Sequence, residues 1–151
     1  SAMGKVFALT DSAKADGGRL RDARQAAFLE RVGDIVPAGE RVLGDPWDGS
    51  TLVWLYGGRE PVFPHVNGQW DADRTVLLTK LSEVGSDPAV CDALGRLDVH
   101  YVLYNPTEFQ GGDPAGNVFG SIHAAVKAGV FTDVVAADGP NVLFRISACD
   151  G

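Results

Sequence analysis

The stretch RVLGDPWDGSTLVWLYGGREPVFPH, Arg41 to His65, decides the fold of this chain. Arg41-Val42-Leu43-Gly44-Asp45 is an apolar run of strand length, and Asp45-Pro46 breaks it because a proline pushes the residue before it out of the helical region. Gly49-Ser50 offers a cap in front of Thr51 to Tyr56, and Gly57-Gly58 ends that short helix. Pro61-Val62-Phe63 supplies a second strand, closed by Pro64. Strand, helix, strand in so short a span is the unit from which α/β domains are built.

Towards the N-terminus, Arg19 to Val36 carry Leu20, Ala23, Ala27, Phe28, Val32 and Ile35 at three- and four-residue steps among Arg, Asp and Glu. That spacing predicts an amphipathic helix, stopped by Pro37-Ala38-Gly39. Towards the C-terminus, Asp71 can cap a helix carrying Val76, Leu77, Leu81 and Val84, and Asp87-Pro88 opens another carrying Val90, Cys91, Leu94 and Leu97. Val99 to Tyr104 is β-branched and aromatic and is cut off by Asn105-Pro106, the pattern of a strand. Phe109 to Gly116 reads as a loop, followed by a helix marked by Ile122, Ala125 and Val126 and ended at Gly129. Phe131 to Ala136 and Asn141 to Ile146 read as strands joined by Ala137-Asp138-Gly139-Pro140, whose Asp-Gly step favours a tight hairpin. The expected fold class is α/β, a three-layer-like domain with a partly parallel sheet, helices on both faces and a C-terminal antiparallel β-hairpin.

Composition bounds the rest. Hydrophobic residues are 45% of the chain and charged residues 22%, the balance of one compact domain with its own core. Nothing approaches the roughly 20 consecutive apolar residues of a membrane-spanning helix, and no charged-then-apolar signal opens the chain. Ser1, Ala2 and Met3 read as the remnant of a cleaved tag, residues 4–18 as a linker and residues 19–151 as a single domain. A net charge of −7 without a basic stripe excludes nucleic acid as a partner and argues against attachment to anionic lipid. Any membrane link would have to be covalent. Cys91 and Cys149 lie too far apart in sequence for a Cys-x-x-Cys metal or redox pair, so composition leaves open one disulfide or two buried thiols.

If the first three strands run parallel, the residues after them gather at the carboxyl edge of the sheet, where open α/β sheets place their ligand crevices. Those residues are Asp45, Trp47, Asp48, His65, Asn67 and Tyr104, with Asn105 beside the last. An indole among carboxylates and amides suits a saccharide, whose apolar ring face stacks while its hydroxyls bond to polar groups. The plain alternative is that Asp45-Pro46 is a turn and helix entry and that Trp47 plugs the end of a core. Asp45 and Asp48 as acid and base compete with their use as a cap and a solvated side chain. A metal site from Asp45, Asp48 and His65 lacks a ligand-spacing motif, His65, His100 and His123 being dispersed, and His100, inside a strand, reads as a core or face residue. There is no Gly-x-Ser-x-Gly elbow and no Gly-x-Gly-x-x-Gly loop, and Gly116 to Ser121 lacks the lysine of a phosphate cradle. No catalytic residue, cofactor or metal is assigned.

Two segments carry a family resemblance: Arg41 to His65, with its Gly-Asp-Pro-Trp-x-Gly-Ser turn, and DPAVCDALGRLDVHYVLYN, Asp87 to Asn105, with its Cys-x-x-Leu-x-x-Leu-x-Val-x-Tyr-Val-Leu step. The chain resembles, from Arg19 onward, the C-terminal soluble domain of a family of uncharacterised multi-spanning membrane proteins from actinobacteria. These are similar, distantly, to polyprenyl-phosphate-sugar-dependent (GT-C-like) glycosyltransferases, whose membrane helices precede a small α/β domain on the outer side of the membrane. The resemblance implies a non-catalytic extracytoplasmic module of the cell envelope. Its own N-terminal transmembrane region would be its partner and a saccharide or lipid-linked sugar its ligand. In such enzymes the catalytic acid sits in loops near the membrane helices, and no position here matches one. An outer location also favours a disulfide between Cys91 and Cys149, tying a helix to the end of the last strand. The rival expectations are a free-standing soluble hydrolase or transferase, and a structural or protein-interaction domain.

Overall fold

The structure, a computed structural model, describes residues 19, 20, 22–106 and 118–150. The loop expected over Phe109 to Gly116 and the linker over 4–18 lie outside the described residues. Helix α1 covers 22–35. After it come β1 (Arg41–Leu43), α2 (Val53–Gly57), α3 (Ala72–Lys80), α4 (Pro88–Arg96), β2 (Val99–Tyr104), α5 (Gly120–Lys127), β3 (Asp133–Asp138) and β4 (Asn141–Arg145). The sheet order is β1-β2-β4-β3, with β1 and β2 parallel and the other pairs antiparallel. This is the mixed α/β fold with a C-terminal hairpin that the sequence predicts.

Side chains alternate across the sheet and build two cores. Leu43, Val102 and Phe144 face one side, where they pack with Leu77, Leu94 and Ile122 from α3, α4 and α5. Val42, Leu103 and Leu143 face the other, against Phe28, Leu29, Val32 and Val36 of the N-terminal helical segment and Val53 of α2. Opposite Arg41 and Val42 the β2 partners are Val99 and Tyr101, so His100 is an extra residue, a bulge that shifts the register there.

Three expectations are refined. The α1 stripe turns: Leu20, Ala23 and Ala27 are exposed, and Leu29, outside the predicted stripe, is buried. The strand expected over Pro61 to Phe63 shrinks to a single parallel bridge between Pro61 and Val42, held by Val42 N–H to Glu60 O at 3.0 Å and Val62 N–H to Val42 O at 2.9 Å. Pro61 and Pro64 contribute no N–H, so the pairing cannot extend. The hairpin turns at Gly139-Pro140, where Asp138 pairs with Asn141, one residue later than the Asp-Gly step suggests. Gly139, at φ 57°, takes the left-handed position of that two-residue turn.

Asp71 and Asp87 cap α3 and α4 by accepting from the backbone N–H groups of Arg74 and Ala89. Cys91 on α4 is bonded to Cys149 just after β4, closing a loop of 58 positions. Closure over such a length stabilises by about 4 kcal/mol in the chain-entropy view. No helix among the described residues is long and apolar enough to cross a membrane.

Candidate functional site

Asp45 leaves β1 at the sheet's carboxyl edge and caps a 3-10 turn, Pro46–Asp48, by accepting from Trp47 N–H at 2.8 Å. Proline suits the first position of such a turn because no N–H is needed there. Gly49, at φ 86°, reverses the chain into a second 3-10 turn, Ser50–Leu52, that runs on into α2. The cap expected at Gly49-Ser50 falls on Gly49 without a side-chain bond, and Asp48 holds the turn by accepting at Oδ1 from Ser50 N–H at 2.9 Å and from the Ser50 hydroxyl.

Asp45, Asp48, Ser50, His123 and Asn141 are the buried polar residues among those described, and all belong to one network. His123 Nε2 on α5 is hydrogen-bonded to Asp45 Oδ2 at 2.7 Å, and both residues are buried. Asp48 Oδ2 accepts from Asn105 N–H at 3.3 Å, and Asn105 Nδ2 donates to Asn141 Oδ1 at 3.0 Å. Gln25 of α1 donates to the Asp48 carbonyl at 3.2 Å. Four elements thus meet in one polar knot, α1 and the ends of β1, β2 and β4, with α5 joined through His123. A Cβ at Gly44 would stand 2.6 Å from Ser50 Cβ, so the knot closes only because residue 44 has no side chain. Burial pushes the Asp48 carboxyl up to about 7; the Ser50 hydrogen bonds pull it down, the Asp45 charge pushes it further up and His123 opposes.

Of the sequence candidates, Asp45, Asp48 and Tyr104 are brought together: the Tyr104 ring packs edge-on against His123, with centroids 5.3 Å apart. Trp47 is half-buried against the larger core. His65 and Asn67 are exposed on the segment after the Pro61 bridge, and His65 stacks on Trp70 with centroids 4.9 Å apart. No hydrogen bond among the described residues joins either to the Asp45 network. His100 is exposed on β2 and bonded to Glu40, as a strand-face residue can be. No group of three or more His, Cys, Asp or Glu among the described residues could hold a metal ion.

Sequence reasoning missed His123, Ser50, Asn105 and Asn141 as members of the site. For His123 a signal exists: it lies four residues after Phe119 and three before Val126, on the apolar stripe of its helix, and a buried imidazole needs a partner. The asparagines carry no such signal, because only the pairing of β2 with β4 brings them together. The network's carboxylates accept from backbone N–H groups and are bonded to an imidazole, and among the described residues Gln25, Trp47, Tyr104 and Asn105 are half-buried around it.

The sequence profile of a family of unknown function (DUF6541) matches residues 1–148. No curated protein sequence matches the chain. Among solved structures, the C-terminal globular domain of an oligosaccharyltransferase from Archaeoglobus fulgidus is similar, with a TM-score of 0.50 and 13% identity over 81% of this chain and 96% of that one. At that identity the likeness is one of fold.

Proposed function

The chain belongs to this family of unknown function, and we propose that its domain is a non-catalytic, extracytoplasmic C-terminal module of a glycosyltransferase-like integral membrane protein of the cell envelope. The observation that carries this reading is the burial of Asp45 and Asp48: the paired carboxylates at the sheet's carboxyl edge are buried and accept from backbone N–H groups of the turns. The Cys91–Cys149 bond supports an oxidising compartment, and the fold likeness to a C-terminal domain of an oligosaccharyltransferase supports the architecture. The partner is the chain's own N-terminal transmembrane region. The ligand is a saccharide or lipid-linked sugar, met by Trp47, Tyr104 and Asn105 over their buried foundation.

A lone domain forms part of such a site, so its affinity for an acceptor sugar is about millimolar, equivalent to roughly 4 kcal/mol. Titrating envelope oligosaccharides against the isotope-labelled domain by NMR tests the ligand, with shifts expected at Trp47 and Tyr104 and lost in Trp47→Ala. Tyr104 shifts that saturate unchanged in a folded Trp47→Ala variant remove that edge from the proposal. The architecture has its own test: a full-length reading frame without membrane helices before Gly4 ends it.

A further inference from the structure

Trp54, Leu55 and Tyr56 stand outside the fold. Trp54 is 62% exposed and Leu55 70%, and with Leu52 these four account for most of the exposed large hydrophobic residues among those described. Trp54 is the informative one, because it lines a half-open cleft of about 340 Å³ together with Thr51, Glu60, Pro61 and Pro64. That is the small end of the range for ligand pockets, roughly 300–1,000 Å³.

We propose that this cleft is a saccharide-stacking site, separate from the Trp47 edge, that takes one or two neutral sugar rings against the Trp54 indole. The lining selects this class. Two proline rings give rigid apolar walls without N–H donors. Thr51 Oγ1 and Trp54 Nε1 take part in no hydrogen bond among the described residues, so both are available to ligand hydroxyls. No basic residue lines the cleft, which disfavours phosphate or carboxylate ligands. A cation is disfavoured as well, because Glu60 already has the Arg41 guanidinium 3.5 Å from Oε2. Its half-exposed carboxylate is left as an acceptor for hydroxyls. What fits is a ring with one apolar face and hydroxyls round its edge. The backbone that carries the indole is fixed: α2 is seated on α1 at Gly33 and Gly57, where an added Cβ on Gly33 would fall 2.1 Å from Gly57 O.

The experiment titrates glucose, mannose, galactose and cellobiose against the 15N-labelled domain up to about 0.1 M, with glucosamine and glucose 6-phosphate as cationic and anionic controls. The expected result is a saturating shift of the Trp54 indole N–H and the Thr51 and Glu60 amides by at least one neutral sugar. Affinity should fall about tenfold or more in Trp54→Ala, fall less in Glu60→Gln and hold in Trp47→Ala. Circular dichroism checks that each variant is folded. Loss of the Trp54, Thr51 and Glu60 shifts in Trp47→Ala, with Trp54→Ala unaffected, would overturn this cleft while leaving the edge site intact; the edge site is read separately, from the Trp47 and Tyr104 shifts, which Trp54→Ala should leave unchanged. No shift from any neutral sugar, tighter binding of either charged control, or broadening of the α2 signals by self-association or by phosphatidylcholine vesicles in place of sugar binding, overturns it too.

Discussion

Within twelve residues the chain inverts the usual order of inside and outside. Asp45 and Asp48 are buried, Asp45 completely, whereas Leu52, Trp54, Leu55 and Tyr56 are in water. Hydropathy alone would place them the other way round. The polar residues are inside because each finds partners that replace water: backbone N–H groups of the turns, the Asn105 amide and the His123 ring. The apolar ones are outside because α2 meets α1 through the backbones of Gly33 and Gly57, which leaves only Val53 pointing into the core. Burial at this edge therefore follows hydrogen-bond supply and backbone approach, and the two regions differ in what a mutation there can cost.

The largest effect comes from breaking the buried pair. His123→Ala takes the buried imidazole from Asp45, which keeps the Trp47 N–H, and the domain should lose about 3–5 kcal/mol in urea unfolding, the range for breaking a buried pair from one side. A loss under about 1 kcal/mol would mean that the knot relaxes or takes up water, and that it resembles the exposed region more than its burial suggests.

Next is the pH dependence of Asp48. Its folded pKa of about 7 lies above the ordinary 3.8, so between those values the folded state holds a proton that the unfolded chain releases. The contribution of neutral Asp48 is full below about pH 4 and is lost as pH rises through about 7, on the order of 4 kcal/mol in all. Asp48→Asn should flatten that part of the stability profile from pH 4 to 8, whatever its fixed cost from setting an amide against the Asn105 N–H. An identical slope in the variant would show that Asp48 is ionised throughout.

Gly33→Ala tests the reason for the exposed region. The new methyl group meets the Gly57 carbonyl, so α2 must shift, at a cost of about 2 kcal/mol and with altered NMR signals across Leu52 to Tyr56. The knot, reached through Ser50 rather than through α2, should keep its signals. The smallest effect is Leu55→Ser, within about 0.5 kcal/mol of the parent by thermal unfolding, since the side chain it removes is already in water. A marked loss there would identify Leu55 as part of a contact that the folded domain makes elsewhere.

Much of the fold was legible because its signals are local. Asp71 and Asp87-Pro88 announce two helices in sequence and cap them in space, and Val99 to Tyr104 reads as a strand and forms the sheet's inner strand. Errors came where a local pattern needed a distant partner. Pro61 to Phe63 has strand chemistry but prolines on both sides, and only the approach of β1 decides how much of it pairs. In α1, Ala23 and Ala27 satisfy a helical stripe, but the layer beneath is reached by Phe28, Leu29 and Val32.

The candidate site divides in the same way. Sequence by itself determined that Asp45, Trp47, Asp48 and Tyr104 come to one edge, because short apolar runs and the breaks after them set where each strand ends. Only the tertiary structure decided that the carboxylates turn inward. The order β1-β2-β4 lays Asn141 beside Asn105, and α5 packs on the sheet with His123 over Asp45, supplying the partners that make burial affordable. A hydrogen bond between residues 78 positions apart leaves no periodicity in the chain, whereas a cap acts within a few residues and does.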